Sequence, residues 1–448
     1  MIQLLSKKFT TTKLIVLGYL VVIVTGTFLL MIPISSKGSG GAGFIDSLFT
    51  ATSATCVTGL VLHDTFTYWS GFGQAVILLL IQIGGIGFMT IAITALTFTK
   101  KKIGLSQRLI MQEAVVAPQV GGIVRMTKFI LCGAMLFEGI GAIFLAFWFV
   151  PRLGFGKGIY FSVFHSISAF CNAGIDLMGQ FEESSSLVTA GNSPVVCLTI
   201  TALIIVGGLG FFVWSDIRQH GRHFKNYKLH TKMVISMTVF LIVSGTLLLL
   251  FFEFHGQSME GKSVGEKVMA AFFQSVTPRT AGFNTIPLDK LNQTSQLTMI
   301  ALMFIGGSPG STAGGIKTTT AMVLLLSIWT ELFKRKDIEC FKRRIDGEIL
   351  RHATCIMMLY VMLIMGATVA IAAIDQSSIE ETLFEVTSAI GTVGLSLGIT
   401  PELSTVSHLI LVLLMFIGRV GGITILISFG NRIAFRPSKL PLEKVTVG

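Results

Sequence analysis

Four times in this sequence a phenylalanine stands ten residues before a glycine: Phe49/Gly59, Phe164/Gly174, Phe272/Gly282 and Phe384/Gly394. The glycines are 115, 108 and 112 residues apart, and each pair sits in a short, half-apolar segment between two long apolar runs. A repeat of this length constrains the fold more than any single residue, because it makes the chain one unit used four times. Four backbone loops meeting on one axis in a membrane are also how a cation filter is built.

The surrounding solvent must be lipid. The chain has 448 residues, 52% of them apolar and 13% charged, and its mean hydropathy is +0.77. Soluble domains carry about 25% charged residues. Eight apolar runs lie near 14–34, 71–98, 129–150, 193–217, 233–254, 294–330, 353–374 and 405–430, and each is read as a span. The first is too long for the apolar part of a cleaved signal peptide. The net charge of +11 suggests nucleic acid, but its placement argues for a membrane. With a cytoplasmic N-terminus, 25 of the 34 Lys and Arg fall in 1–13, 99–128, 218–232, 331–352 and 431–448. This positive-inside pattern puts both termini in the cytoplasm of a multi-pass protein whose surroundings are membrane lipid. More than half of the carboxylates fall on the other face, where they attract cations over about a Debye length.

The segments Phe44–Thr55, Gly158–Phe170, Val264–Thr277 and Ser378–Ile390 are each about a dozen residues. They cover roughly 18 Å of a ~30 Å hydrocarbon core, so they enter and must return. Returning backbone at that depth has to be buried in protein or line a cavity. They are therefore read as pore helices, each with its phenylalanine packing the start of the helix against neighbouring spans. The expected fold is an all-α polytopic membrane protein. Four span–pore-loop–span repeats surround one central pore in pseudo-fourfold arrangement: 1–112, 113–226, 227–345 and 346–430, then a cytoplasmic tail, 431–448.

Aligned on the glycine, small residues precede it and a bulky apolar residue follows. The expected filter is Val57, Thr58 and Gly59; Asn172, Ala173 and Gly174; Thr280, Ala281 and Gly282; and Thr392, Val393 and Gly394. Their carbonyls would hold a partly dehydrated ion, and glycine frees the backbone to turn them inward. Ser53, Ser168 and Ser388 also align, and Val276 breaks that column. A single such glycine is as well explained by a tight turn or a helix contact. Four in register are not.

The second spans share a glycine motif at 83–87, 206–210, 305–308 and 417–421. In the third unit it continues as Gly306, Gly307, Ser308, Pro309, Gly310, Ser311, Thr312, Ala313, Gly314 and Gly315, which no continuous helix can hold. A helix broken at mid-membrane lines a cavity, so this loop is placed below the filter as a constriction. It imitates a phosphate loop, but Ile316 separates Gly315 from Lys317, and the pattern fails. Arg419 stands where the first two units have Gly85 and Gly208, and is expected to hold the 306–315 loop by hydrogen bonds to its carbonyls or hydroxyls. Lys317 is expected to snorkel to the cytoplasmic surface. Arg279 is expected to point behind the filter toward a carboxylate. Glu138 is read as the one carboxylate clearly inside a span, either for ion coupling or for a bond to a neighbouring helix. The six cysteines have no C-x-x-C spacing and the eight histidines no metal constellation, so no zinc site, disulfide framework or enzyme centre is expected.

These motifs resemble the Trk/Ktr/HKT superfamily of cation transporters. Ser275-Val276-Thr277-Pro278-Arg279-Thr280-Ala281-Gly282-Phe283 and Gly391-Thr392-Val393-Gly394 carry the resemblance, and it covers essentially the whole chain. With four units and no extra N-terminal span pair, the chain is most similar to the KtrB-like membrane subunits of bacterial Ktr systems. The resemblance implies K⁺ uptake across a bacterial cell membrane, a homodimer with a pore in each subunit, and Na⁺ dependence in many members. It also implies a cytosolic ring of KtrA-like nucleotide-binding subunits carrying any ATP or ADP, so this chain needs no cofactor of its own. The basic stretches 100–128, 218–232 and 334–352 are where that ring would dock, with anionic lipid the competing explanation. The matching segment of the family is an intramembrane gating loop, so 306–315 and Arg419 are expected to form the gate. The alternative function is a carrier that couples K⁺ to Na⁺ or H⁺ by alternating access.

Overall fold

A computed structural model describes residues 11–38, 40–87 and 123–421. The expectations for 88–98, 99–122 and 422–448, including the tail, lie outside the described residues. The same order of elements recurs along the chain. First come α1 (Thr11–Met31), α2 (Phe44–Cys56), the one-turn α3 (Thr65–Tyr68) and α4 (Gly71–Ile86). Then follow α5 (Ile123–Leu153), α6 (Phe155–Phe170), α7 (Pro194–Leu209) and α8 (Phe211–His220). The third set is α9 (Leu229–Glu253), α10 (Val264–Val276), α11 (Gln293–Phe304) and α12 (Thr318–Leu332). The last is α13 (Gly347–Asp375), α14 (Ile379–Gly391) and α15 (Thr405–Val420).

Among the described residues, α1, α5, α9 and α13 are long and apolar enough to cross a bilayer, and the bent pair α7–α8 together makes a fifth. The expectation of spans at 71–98, 193–217 and 405–430 did not foresee that their helices end at glycines. Helices α4, α7 and α15 have 16 residues each, about 24 Å. Each stops at the last glycine of its motif: Gly87, Gly210 and Gly421 have φ of 89°, 96° and 93°. At Gly210 the chain turns by 93° into α8. A hydropathy pattern registers the apolar residues on either side of such a glycine but not its left-handed backbone.

The short helices α2, α6, α10 and α14 occupy the interior. Acidic residues in the first turn, Asp46, Glu266, and Glu380 with Glu381, favour the N-termini of α2, α10 and α14. Ser263 and Glu266 complete a capping box on α10. Burial rises along each helix, and every residue from Phe49 to Cys56 and from Phe384 to Gly391 is buried. Each short helix packs on the long helix before it: α1 on α2, α5 on α6, α9 on α10 and α13 on α14. Each also touches the second helix of another set: α2 meets α15, α6 meets α4, α10 meets α7 and α14 meets α11. The fourth set thus touches the first.

Phe49, Phe164 and Phe384 are fully buried, but they lie in mid-helix rather than at the helix start. Phe272 is only half-buried, and Phe273 occupies the interior instead. Phe49 meets the His408 ring of α15 edge-on, 5.5 Å between centroids. Among the described residues one element is not helical. Strands β1 (Ile338–Cys340) and β2 (Arg343–Ile345) form an antiparallel hairpin, with Ile338 opposite Ile345, within the basic stretch 334–352.

Candidate functional site

The residue two places before each glycine turns left-handed: Val57 at φ 57°, Asn172 at 59°, Thr280 at 69° and Thr392 at 52°. For β-branched Val57, Thr280 and Thr392 this costs about 1–2 kcal/mol each, so the surrounding packing must hold it. Val57 and Thr392 are themselves the C-caps of α2 and α14. The glycines follow at φ 98°, 66°, 80° and 89°.

The four glycines leave no room for a side chain, because each abuts the backbone of the next loop. A Cβ on Gly59 would lie 2.5 Å from the carbonyl oxygen of Ala173, one on Gly174 2.6 Å from that of Ala281, and one on Gly282 2.6 Å from that of Val393. A Cβ on Gly394 would strike the Thr58 carbonyl oxygen and so returns to the first loop. The contacts therefore close a ring of four loops. All four glycines also line one cavity of about 540 Å³. Asp64, Asp176, Glu182, Glu183 and Asp289 are among its other walls. Burial pushes the Asp176 carboxyl up to about 6, against the bond from the Met178 amide and with Asp64 acting in the same direction as burial.

Hydroxyls from the helix ends brace the loops. Ser53 Oγ accepts from Gly59 N and Ser388 Oγ from Gly394 N, both at 3.0 Å. Ser168 Oγ donates to the Ile175 carbonyl at 2.6 Å. Val276 cannot, and the neighbouring Thr277 Oγ1 donates to the Phe283 carbonyl at 2.5 Å. Alignment on the glycine hides this substitution, because the third loop is one residue tighter. Ala281 N bonds Thr277 O, four residues back, where Thr58, Ala173 and Val393 reach five back.

Beneath the four loops lies the segment 306–315, joining α11 to α12. Gly306 N bonds Ile316 O, and Thr318 N bonds Gly307 O, which closes its neck. Ser308 N and Thr312 N donate to the carbonyls of Gly208 and Gly207, the end of α7. Phe211 N, the first residue of α8, donates to Gly310 O at 2.8 Å. Inside the segment, Ser311 Oγ bonds Ser308 O and Ser308 Oγ pairs with Thr318 Oγ1. Ala313 and Thr312 are buried; Pro309 and Gly310 are partly exposed. The guanidinium of Arg419 spans two elements: Nη1 donates to the Thr312 carbonyl, and Nη2 to the carbonyls of Gly84 and Gly85.

Other charged side chains differ from the expectations. Lys317 does not snorkel; its Nζ donates to Ala313 O at 2.8 Å and Gly314 O at 3.2 Å, inside the 306–315 segment. Its position two residues after Gly315 keeps it within reach of those carbonyls. Arg279 does point behind the loops, but its Nη2 donates to Thr238 Oγ1 of α9 at 3.2 Å, and no carboxylate faces it among the described ion pairs. Glu138 bonds Gln82 Nε2 of α4 at 3.0 and 3.1 Å through its two oxygens. It is not the only buried carboxylate. Glu253 accepts from Ser258 Oγ and Asn292 N, and Glu385 of α14 accepts from Thr400 Oγ1 at 2.5 Å. His220 Nδ1 pairs with Asp216 Oδ1 at 3.0 Å.

A closed ring of loops, left-handed at matched positions and lining a carboxylate-walled cavity, has the chemistry to receive a cation. The TrkH family (cation transport protein) matches residues 6–434, and the chain belongs to that family. It is 40% identical to the potassium/sodium uptake protein NtpJ of Enterococcus hirae, over 99% of this chain and 98% of that protein. It is 39% identical to Ktr system potassium uptake protein B of Bacillus subtilis, over 95% of this chain and 94% of that one. The crystal structure of the potassium transporter TrkH from Vibrio parahaemolyticus shares the fold at a TM-score of 0.74, with 18% identity, over 94% of this chain and 84% of that chain.

Proposed function

We propose that this chain is the ion-translocating subunit of a K⁺ uptake system, channel-like in its permeation. The ion passes through a pseudo-fourfold filter made by the carbonyls of residues 57–59, 172–174, 280–282 and 392–394. The observation that carries this reading is the closed ring, in which each loop glycine abuts the carbonyl of the next loop and all four face one cavity. The C-terminal ends of the short helices point their negative dipoles at that ring. The segment 306–315 is the gate, and Arg419 is its latch, adding a positive charge beneath the filter. Glu138 is engaged with Gln82 and is not among the cavity walls, which favours a channel over an alternating-access carrier. As in the systems for which its relatives are named, a regulatory subunit on the cytoplasmic side would control the gate. A homodimer, Na⁺ dependence, a bacterial plasma membrane and cytoplasmic termini complete the reading.

Tracer flux into proteoliposomes tests it. Wild-type protein should take up ⁸⁶Rb⁺ in preference to ²²Na⁺ down an imposed potential, with no Na⁺ gradient present. Gly59→Ser should narrow that preference, because a Cβ there meets the Ala173 carbonyl. Equal uptake of both ions before and after the substitution would sink the filter assignment.

A further inference from the structure

The side chain at the left-handed position is not the same in all four loops: Val57, Asn172, Thr280 and Thr392. Three of these four touch the segment below. A Cβ on Gly306 would lie 3.1 Å from Thr280 Cγ2, and one on Gly314 would meet Thr392 Oγ1. Asn172 alone carries both donors and an acceptor, and it uses them in two directions. Below, its Oδ1 accepts from Thr312 Oγ1 at 3.3 Å. Across, its Nδ2 lies 3.4 Å from the Arg279 carbonyl oxygen and 3.5 Å from Thr280 Oγ1, both in the third loop. Thr312 Oγ1 shares its one proton with the Phe170 carbonyl at 3.2 Å, and the Thr312 carbonyl is the one that Arg419 holds. Asn172, Thr280 and Thr312 are all 0% exposed, so with the segment in place these groups depend on one another rather than on water.

We propose that Asn172 is a positioning residue that makes ion discrimination depend on the position of the 306–315 segment. The inference rests on the filter-and-gate reading above. When the segment swings aside to open, Thr312 leaves and the Asn172 amide loses its acceptor-side partner. A buried amide does not stay unpaired: it turns toward a new partner, and its grip on the third loop changes with it. Opening and selection are then one linked event, and the second and third loops are where they are linked.

The experiment compares ⁸⁶Rb⁺ and ²²Na⁺ uptake in proteoliposomes for wild type, Gly59→Ser, Thr312→Val, Thr312→Ser, Asn172→Ser and the double variant Asn172→Ser/Thr312→Val. Detergent melting and size exclusion confirm that each is folded. Thr312→Val keeps the side-chain volume and removes the hydroxyl, so the Rb⁺/Na⁺ ratio should shift by about 3-fold or more. Thr312→Ser should restore the wild-type ratio. The double variant should show no shift beyond that of Asn172→Ser alone. If Thr312→Val scales both fluxes equally and leaves the ratio intact, the coupling is wrong, while the filter stands. If wild type shows no preference, or Gly59→Ser leaves it unchanged, the filter reading itself has failed. Should Asn172→Ser not fold, the Thr312→Val and Thr312→Ser pair still decides the matter.

Discussion

At the scale of single residues, Arg419 and Lys317 do most to hold the 306–315 segment. Both donate to carbonyls that a helix would have used internally, because a segment rich in glycine and broken by proline leaves its backbone acceptors free. A charged donor to a buried carbonyl contributes about 1.5–3 kcal/mol. Arg419 also bonds Gly84 and Gly85, so it ties the segment to α4 across the molecule. Arg419→Ala should therefore raise ⁸⁶Rb⁺ flux at least several-fold in the absence of any regulatory partner, read in single-time-point vesicle uptake. Unchanged flux would remove the latch role. Lys317→Met should act in the same direction and more weakly, because it bonds only within its own segment.

At the scale of elements, the short buried helices were the most legible part of the sequence, and the second helices the least. A dozen half-apolar residues between two apolar runs can only enter and return, and α2, α6, α10 and α14 are where that argument puts them. The breaks at Gly87, Gly210 and Gly421 within the spans read at 71–98, 193–217 and 405–430 were not legible, because a glycine's φ is set by what packs on it, and hydropathy carries no trace of that. The hairpin at 338–345 was missed because two three-residue strands leave no alternation long enough to read. Left-handed Val57, Thr280 and Thr392 were illegible too, since β-branched residues disfavour that conformation in isolation. The interchange of Ser and Thr277 needed the hydrogen bonds themselves. Thr277→Val should remove the brace on the third loop and destabilise the folded protein by about 1 kcal/mol. Detergent melting should show this as a lower Tm with the Rb⁺/Na⁺ ratio also reduced; an unchanged Tm would mean that the hydroxyl braces nothing.

At the scale of the whole molecule, charge is divided between the two sides of the four loops. The cavity above the four loops is walled by five acidic side chains, while Arg419 and Lys317 lie below. Such a cavity raises the local cation concentration by an amount that salt removes, since the Debye length is about 10 Å at 0.1 M. The triple variant Glu182→Gln/Glu183→Gln/Asp289→Asn should lower initial ⁸⁶Rb⁺ uptake at low ionic strength and match wild type at high. A deficit that persists in high salt would point to a structural role instead. Asp176, held near 6, is lost from this set as the medium falls below that pH.

The cavity has a further consequence, and it is electrical. Filled with water, a mouth of about 540 Å³ would conduct ions readily, so little of the membrane voltage would fall across it. On the reading proposed here, most of the voltage drops over the few ångströms of carbonyls and the segment beneath them. Each 100 mV moves a unit charge by about 2.3 kcal/mol across the full membrane. Confined to so short a distance, the same voltage becomes a strong local field on Arg419 as well as on the ion, so the membrane potential could act on the latch and on its cargo at one place.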